Sequence, residues 1–216
     1  MPTTTYRLSD PHKVIGPQDF STSDVTLKDQ SIPRAARDLT EEAVLALPLG
    51  EWRVHDAPLS TLPTTAANDD FGFIAGTFGT DAPILKTIDC KTLGATSIYA
   101  RLFHALGNEY EHGETLKIRI HGGMNTTVAD TSATVDVEVY VSDGEGDVGS
   151  DLCATAAQSI NGATGFDDYD FTITATGLSP GTILDIRVAM AINDAAGSTA
   201  VIGQIGKTSL VRDINI

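Results

Sequence analysis

A strict alternation of apolar and polar side chains constrains this chain more than any other feature. Residues 134–141 read Thr-Val-Asp-Val-Glu-Val-Tyr-Val, so an extended strand there has four valines on one side and polar groups on the other. The same period of two recurs over 116–121, 170–176 and 184–192. Such alternation predicts strands with one buried and one solvated face, which is the pattern of antiparallel sheets.

Shorter extended runs raise the expected number of strands to eight or nine: 73–78, 84–88, 98–106, 200–205 and 210–214. Turn residues separate the runs, and no stretch long enough for a helical crossover intervenes. We therefore predict an all-β, antiparallel two-sheet sandwich, with the jelly roll as the preferred topology. An immunoglobulin-like sandwich is the nearest alternative, but Trp52 precedes both Cys90 and Cys153, so its Cys-Trp-Cys order is missing.

The first fifty residues lack this alternation. Prolines interrupt them and apolar clusters are few, which predicts an extended N-terminal arm over 1–50 ahead of a sandwich body over 51–216. One short helix is expected within the arm, at about 39–47. Asp38 supplies an N-cap with Glu41 three residues later, and Pro48 ends the segment.

The chain is strongly acidic, with 14 Lys+Arg against 29 Asp+Glu and a formal net charge of −15. This balance opposes binding to nucleic acid or to an anionic membrane, because both attract clustered Lys and Arg. Residues 1–40 are neutral, with five bases and five acids, whereas 41–216 hold nine bases and 24 acids. We expect an acidic body that faces solvent and a neutral arm that makes contacts.

Motifs for export and for catalysis are missing from the sequence. No signal-peptide pattern and no long apolar window occurs, which predicts synthesis in the cytoplasm. The five histidines lack zinc-site spacing, and there is no nucleophile elbow, phosphate loop or dinucleotide fingerprint. We expect a protein that is not an enzyme and uses no cofactor. Cys90 and Cys153 either form one disulfide or stay reduced.

An acidic loop after the 134–141 strand is the best metal candidate. Its carboxylates alternate with small residues: Asp143, Glu145, Asp147 and Asp151. Carboxylate oxygens at this spacing suit Ca²⁺, but Val148 and Ala154 stand where an EF-hand loop needs glycine and glutamate. A solvated acidic loop is the preferred interpretation, and a calcium site is the alternative.

Four segments of the body resemble tailed-bacteriophage virion proteins in order and spacing: 62–83, 127–138, 148–161 and 178–187. The first reads LPTTAANDDFGFIAGTFGTDAP and the last LSPGTILDIR. The resemblance implies a capsid decoration (cement) protein, whose jelly-roll body sits on the outer surface of the major capsid protein in the virion. A homotrimer is the expected assembly, since cyclic oligomers close without open-ended growth.

In such a protein the arm would reach neighbouring shell subunits and pair with the edge of a partner's sheet. The candidate contact residues are Tyr6, Arg7, Leu8, Val14, Ile15, Phe20, Val25, Leu27, Ile32, Arg34 and Arg37. Two alternatives stay open, a phage tail or head-fibre component and a carbohydrate-binding β-sandwich module. The carbohydrate-binding module requires exposed aromatic residues, and an aromatic content of 6% with Trp52 as the sole tryptophan offers few.

Overall fold

The computed structural model describes residues 40–110, 112–142 and 145–215. The described residues form ten strands, which lie almost entirely within a compact unit spanning Glu42–Ile214. They are β1 (Thr40–Leu47), β2 (Gly72–Ile74), β3 (Ile84–Lys86), β4 (Gly94–Ala105), β5 (Leu116–Asn125), β6 (Ser132–Ser142), β7 (Gln158–Ser159), β8 (Asp167–Ile173), β9 (Ile183–Asp194) and β10 (Ile202–Asn215). A 3-10 turn at Leu49–Glu51 is the helical element of these ranges. None of their helices is long and apolar enough to cross a membrane.

The strands form two sheets. Sheet A has the order β2-β3-β10-β5-β8, with β1 also paired to β10, and sheet B has the order β4-β9-β6-β7. Neighbours along both orders are antiparallel. Counting β3 as strand one and β10 as strand eight, the sheets read 1-8-3-6 and 2-7-4-5, which is the jelly-roll topology. The predicted two-sheet sandwich is confirmed.

The core lies between the sheets and is built by the alternating rows that the sequence predicted. Val135, Val137 and Val139 of β6 are buried, as are the inward-facing residues of β5 and β9. Trp52 is the largest buried side chain, and its Nε1 donates to Thr208 Oγ1 at 3.1 Å. The Thr208 hydroxyl in turn donates to the Leu47 carbonyl at 2.6 Å, so a buried hydrogen-bond chain joins three separate segments.

The helix predicted at about 39–47 is wrong, because Thr40–Leu47 forms strand β1 on the edge of β10. Its Glu-Glu-Ala-Val-Leu-Ala-Leu run favours a helix locally, but two helical turns are marginal without packing. Pairing with β10 supplies backbone partners instead, and the Glu42 carboxylate binds Lys117 and Arg119 of β5, each at 3.3 Å. The sandwich therefore includes residues that the sequence assigned to the arm.

Two glycines inside β5 allow neighbouring backbone to lie close to the strand, the loop before β8 at Gly123 and strand β10 at Gly122. A Cβ on Gly123 would stand 1.9 Å from the Gly165 carbonyl oxygen, and one on Gly122 would stand 2.7 Å from the Gln204 carbonyl oxygen. The Gly165 amide donates to the Met124 carbonyl at 3.0 Å, which fixes the loop in this position. The residues have to be glycine because backbone approaches backbone here.

His104 of β4 gives the body a pH dependence. Within the described ranges its Nε2 is the buried side-chain atom without a hydrogen-bond partner, and burial lowers the pKa of its imidazole below the usual 6.5. Because the folded chain has the lower pKa, the unfolded chain binds a proton at His104 more readily. The stability that the neutral imidazole contributes is therefore complete above pH 6.5. It declines as the pH falls through 6.5 towards the lowered folded pKa.

We expect His104→Leu to keep or raise the free energy of unfolding at pH 7.5, because the unpartnered nitrogen is removed. The variant should also lose less stability than the parent between pH 7.5 and pH 5. Urea denaturation of both proteins at the two pH values measures the difference. An equal decline in parent and variant would show that His104 does not carry this pH dependence.

Candidate functional site

The outer face of sheet B carries a concentration of charged and aromatic side chains, which we call the sheet B groove. The inward positions of β4, β9 and β6 hold aliphatic residues, so the intervening residues project outward. Antiparallel register aligns them in rows across the three strands: Phe103, Asp185 and Tyr140; Arg101, Arg187 and Glu138; Tyr99, Ala189 and Asp136.

Two arginine–carboxylate pairs form the centre of the groove. Arg101 Nε donates to Asp185 Oδ1 at 2.7 Å, and its Nη2 donates to Asp185 Oδ2, so the pair is bidentate. Asp185 is only 7% exposed, and its hydrogen bond raises the pKa of the Arg101 guanidinium. Arg187 Nη2 donates to Glu138 Oε2 at 2.5 Å. Both guanidinium groups are therefore held in place without a ligand.

Aromatic rings flank these pairs. The Arg101 guanidinium lies 4.8 Å from the centroid of the half-exposed Phe103 ring, and Arg187 lies 5.0 Å from the centroid of Tyr99. Phe103 and Tyr140 share a row with Asp185 between them, two strand spacings or about 10 Å apart. Burial, followed by the nearby Glu138 carboxylate, raises the pKa of the Tyr140 hydroxyl, which therefore stays a hydrogen-bond donor at neutral pH.

The groove encloses about 280 Å³ and is lined by His55, Arg101, Glu138, Tyr140, Val148, Asp185 and Arg187. Its size is near the lower end of the range for small-ligand sites. Donors, acceptors and ring faces occur together within one open depression. This arrangement suits a ligand rich in hydroxyl groups that also has apolar faces.

A second cluster stands beside the groove. The imidazole of His55 lies between two carboxylates, with Nδ1 3.4 Å from Asp70 Oδ1 and Nε2 3.6 Å from Asp69 Oδ2. The His55 ring also packs on Tyr99, with 4.8 Å between centroids. Of the described His, Cys, Asp and Glu side chains, these three form the group that is close enough to share one metal ion.

The acidic loop has a structural role at one of its carboxylates. Asp151 Oδ1 accepts hydrogen bonds from the backbone amides of Val139 and Cys153, both at 2.9 Å, which ties the loop to β6. Asp143 lies outside the described residues. A calcium site formed with Glu145 and Asp147 stays a prediction.

The remaining residues singled out in the sequence are the two cysteines and the candidate contact residues of the arm. Cys90 and Cys153 are both free, and their Sγ atoms contact the Ile88 and Thr155 carbonyls at 3.6 and 3.5 Å. Of the two states left open by the sequence, the structure contains the unbridged one.

All eleven candidate contact residues of the arm, from Tyr6 to Arg37, lie outside the described residues.

Sequence reasoning missed the groove, although part of its signal was present. Arg101 and Arg187 occupy outward positions of predicted strands, and the segment between Arg119 and Arg187 contains no Lys or Arg. With nine bases among 24 acids in residues 41–216, each of these arginines is expected to pair with a carboxylate. The partners themselves depend on which strands pair and in which register, which the alternation does not specify.

No family model matches the chain, and no curated protein matches it either. Several solved structures are similar. The CBM22-1 xylan-binding domain of Paenibacillus barcinonensis Xyn10C is 13% identical, with a TM-score of 0.42 over 82% of this chain and 97% of that one. The xylan-binding module CBM15 is 14% identical, with a TM-score of 0.41 over 80% and 97%.

A Stig cyclase, Fisc from Fischerella sp. TAU, is also similar, at 14% identity and a TM-score of 0.40 over 79% of this chain and 88% of that one. These likenesses concern the fold alone. The function has to be argued from the groove itself.

Proposed function

We propose that this protein is a non-catalytic β-sandwich that binds an oligosaccharide in the sheet B groove. The observation that carries the proposal is the pair of adjacent rows across β4, β9 and β6. One row holds two aromatic rings around Asp185, and the next holds Arg101, Arg187 and Glu138.

A saccharide presents hydroxyl groups that donate and accept hydrogen bonds, and C–H faces that pack on aromatic rings. Guanidinium groups donate and carboxylates accept, so the central pairs match both roles of a hydroxyl. Phe103 and Tyr140 offer ring surface on either side of them. Because the backbones of the two outer strands are about 10 Å apart at this row, the groove suits a ligand of two or more sugar units better than a single ring.

The engagement of the two carboxylates that line the cavity, Asp185 and Glu138, supports binding without hydrolysis. Glycoside hydrolysis needs one carboxyl group that donates a proton and a second that acts as base or nucleophile. Here Asp185 accepts two hydrogen bonds from Arg101, and Glu138 accepts one from Arg187. In this proposal the two carboxylates hold the guanidinium donors of Arg101 and Arg187 in place and do not transfer protons.

Alanine variants of the aromatic residues test the proposal. The full chain is titrated by affinity electrophoresis and calorimetry against soluble xylan, mixed-linkage β-glucan and bacterial capsular polysaccharides. We expect binding to one of these classes and a loss of about five- to tenfold in affinity for Tyr140→Ala or Phe103→Ala, since a stacked ring contributes roughly 1–1.4 kcal/mol. No sugar should be released during the incubation.

Phe78→Ala is the matched control, because Phe78 is a fully exposed aromatic residue on the loop after β2, outside the groove. Its affinity should equal that of the parent. An equal loss in Phe78→Ala, or no binding to any of the three polysaccharide classes, would count against a saccharide site in the groove.

Capsid decoration is the second candidate, and the contrast between a neutral arm and an acidic body favours it. The virion location, the homotrimer and the contact with a major capsid protein stay predictions, since their candidate contact residues lie outside the described ranges. Cosedimentation of the full chain with purified capsids tests this role. Because the proposed capsid contacts lie in the arm, Tyr140→Ala and Phe103→Ala should cosediment with capsids as the parent does.

A further inference from the structure

The side chains of His55, Asp69 and Asp70 are close enough to share one metal ion, and His55 Nδ1 also makes a long hydrogen bond of 3.4 Å to Asp70 Oδ1. The two imidazole–carboxylate distances of this cluster, 3.4 and 3.6 Å, are longer than a normal N–H···O bond. One ligand atom from each residue lies within 4.8 Å of the others. Ligands bound at about 2.0–2.2 Å to one ion stand roughly 3–4 Å apart. Because the two carboxylates lie beside different ring nitrogens, a side-chain rotation is needed to bring one nitrogen and both carboxylates onto a single ion.

The backbone holds all three residues beside β4. The Tyr99 amide donates to the Asp69 carbonyl at 2.7 Å, and Arg101 Nη1 donates to the His55 carbonyl at 3.3 Å. Asn68 has a left-handed φ of 55°, and the Asp70 amide closes a turn onto the Ala67 carbonyl at 3.0 Å. This turn aims two consecutive carboxylates at one imidazole, although neighbours on an extended strand point to opposite faces.

One of the two carboxylates is largely removed from water. The side chains of His55 and Asp70 are 17% and 12% exposed, whereas that of Asp69 is 51% exposed, so a partly desolvated carboxylate stands beside one that is half in solvent. A desolvated carboxylate is stabilised by a counter-charge. The nearby guanidinium of Arg101 is already committed to Asp185.

We propose that His55, Asp69 and Asp70 bind one divalent metal ion of the Zn²⁺ or Mn²⁺ class. One imidazole nitrogen with two carboxylates suits these ions, whereas Ca²⁺ prefers an all-oxygen set. Since His55 also lines the sheet B groove, the site lies at the margin of the groove. The site does not depend on saccharide binding, and an occupied site would place a positive charge at one end of the groove.

Calorimetric titration of the metal-free full chain with ZnCl₂, MnCl₂ and CaCl₂, in the absence of any sugar, tests the site. We expect one Zn²⁺ or Mn²⁺ per chain and weaker binding of Ca²⁺. His55→Gln and Asp69→Asn should each reduce the affinity by about tenfold or more, because loss of an outer-shell partner alone costs about 10- to 100-fold. Circular dichroism verifies that the variants are folded.

Two controls separate the site from surface binding of metal. His121→Gln removes an imidazole that lies 2.7 Å from Asp168 without a second carboxylate ligand, and Asp56→Asn removes an exposed charge next to His55. Both should bind like the parent. A loss in His121→Gln that matches the loss in His55→Gln would overturn the proposal, as would tighter binding of Ca²⁺ or no binding by the parent.

Paramagnetic Mn²⁺ locates the site even if a variant fails to fold. Resonances of His55 and of the Tyr99 ring that packs on it should broaden first, ahead of those of His121. Broadening confined to other residues would place the ion elsewhere and overturn the assignment. Because no sugar is present, failure of the metal site leaves the proposed saccharide binding untouched, and the reverse also holds.

Discussion

Trp52→Ala is expected to lower the free energy of unfolding by about 3–5 kcal/mol, the usual cost of removing a buried tryptophan. Trp52 is 1% exposed and packs within the core between the sheets. The substitution leaves a cavity there and also removes the Nε1 donor to Thr208. Since that hydroxyl also donates to the Leu47 carbonyl, the end of β1 should loosen together with the core.

Chemical denaturation followed by circular dichroism measures this loss, since the substitution removes the sole tryptophan fluorophore. Phe78→Ala serves as the control for truncating an aromatic ring, and at a fully exposed position it should change stability by no more than about 0.5 kcal/mol. A loss below about 1 kcal/mol for Trp52→Ala would mean that the side chain does not fill the core as described.

Gly123→Ala is the second substitution with a large expected effect, about 3 kcal/mol of destabilisation, at the upper end of overpacking costs. The new methyl group would meet the Gly165 carbonyl oxygen at 1.9 Å, and neither partner is a flexible side chain. The loop before β8 has to move away from β5. That movement breaks the hydrogen bond from the Gly165 amide to the Met124 carbonyl.

Gly149→Ala is the matched control, because a Cβ there meets no atom within 4 Å and the residue does not have a positive φ. It should leave stability unchanged or raise it by a few tenths of a kcal/mol. Thermal melts compare the two variants, and hydrogen exchange should show lost protection in Gly123→Ala around residues 160–166. Equal melting temperatures for the two variants would contradict the close approach.

Most of the fold could be predicted from the sequence, because burial of one face of a sheet requires apolar and polar residues to alternate along each strand. The rows around Val135 and Ile118 were visible as alternation, and antiparallel pairing followed from it. The strand at Thr40–Leu47 was not visible, since its residues favour a helix and its stability comes from β10, more than 150 residues away. Local preference was overridden by a distant partner.

The groove was harder to predict than the fold. Arg101 meets Asp185 and Arg187 meets Glu138 only because β9 lies between β4 and β6 in one register. The sequence separations of these pairs are 84 and 49 residues, so no local motif records them. The same is true of His55 with Asp69 and Asp70, which are joined by a loop and a left-handed turn.

The margins of the two sheets bear on how this body behaves at high concentration. Isolated β-bridges cover two of the margins. Arg53 and Asp70 bridge to β4 on the side away from β9, and Cys153 bridges to Ile173 of β8. Among the remaining outer strands, β2 and β7 have three and two residues, whereas β1 has eight and is paired on one side, to β10. Long unpaired strand edges promote aggregation by templating the addition of further strands. Within the described part of the chain, the free side of β1 is therefore the edge at which another strand can add, and the other margins restrict association to faces and loops.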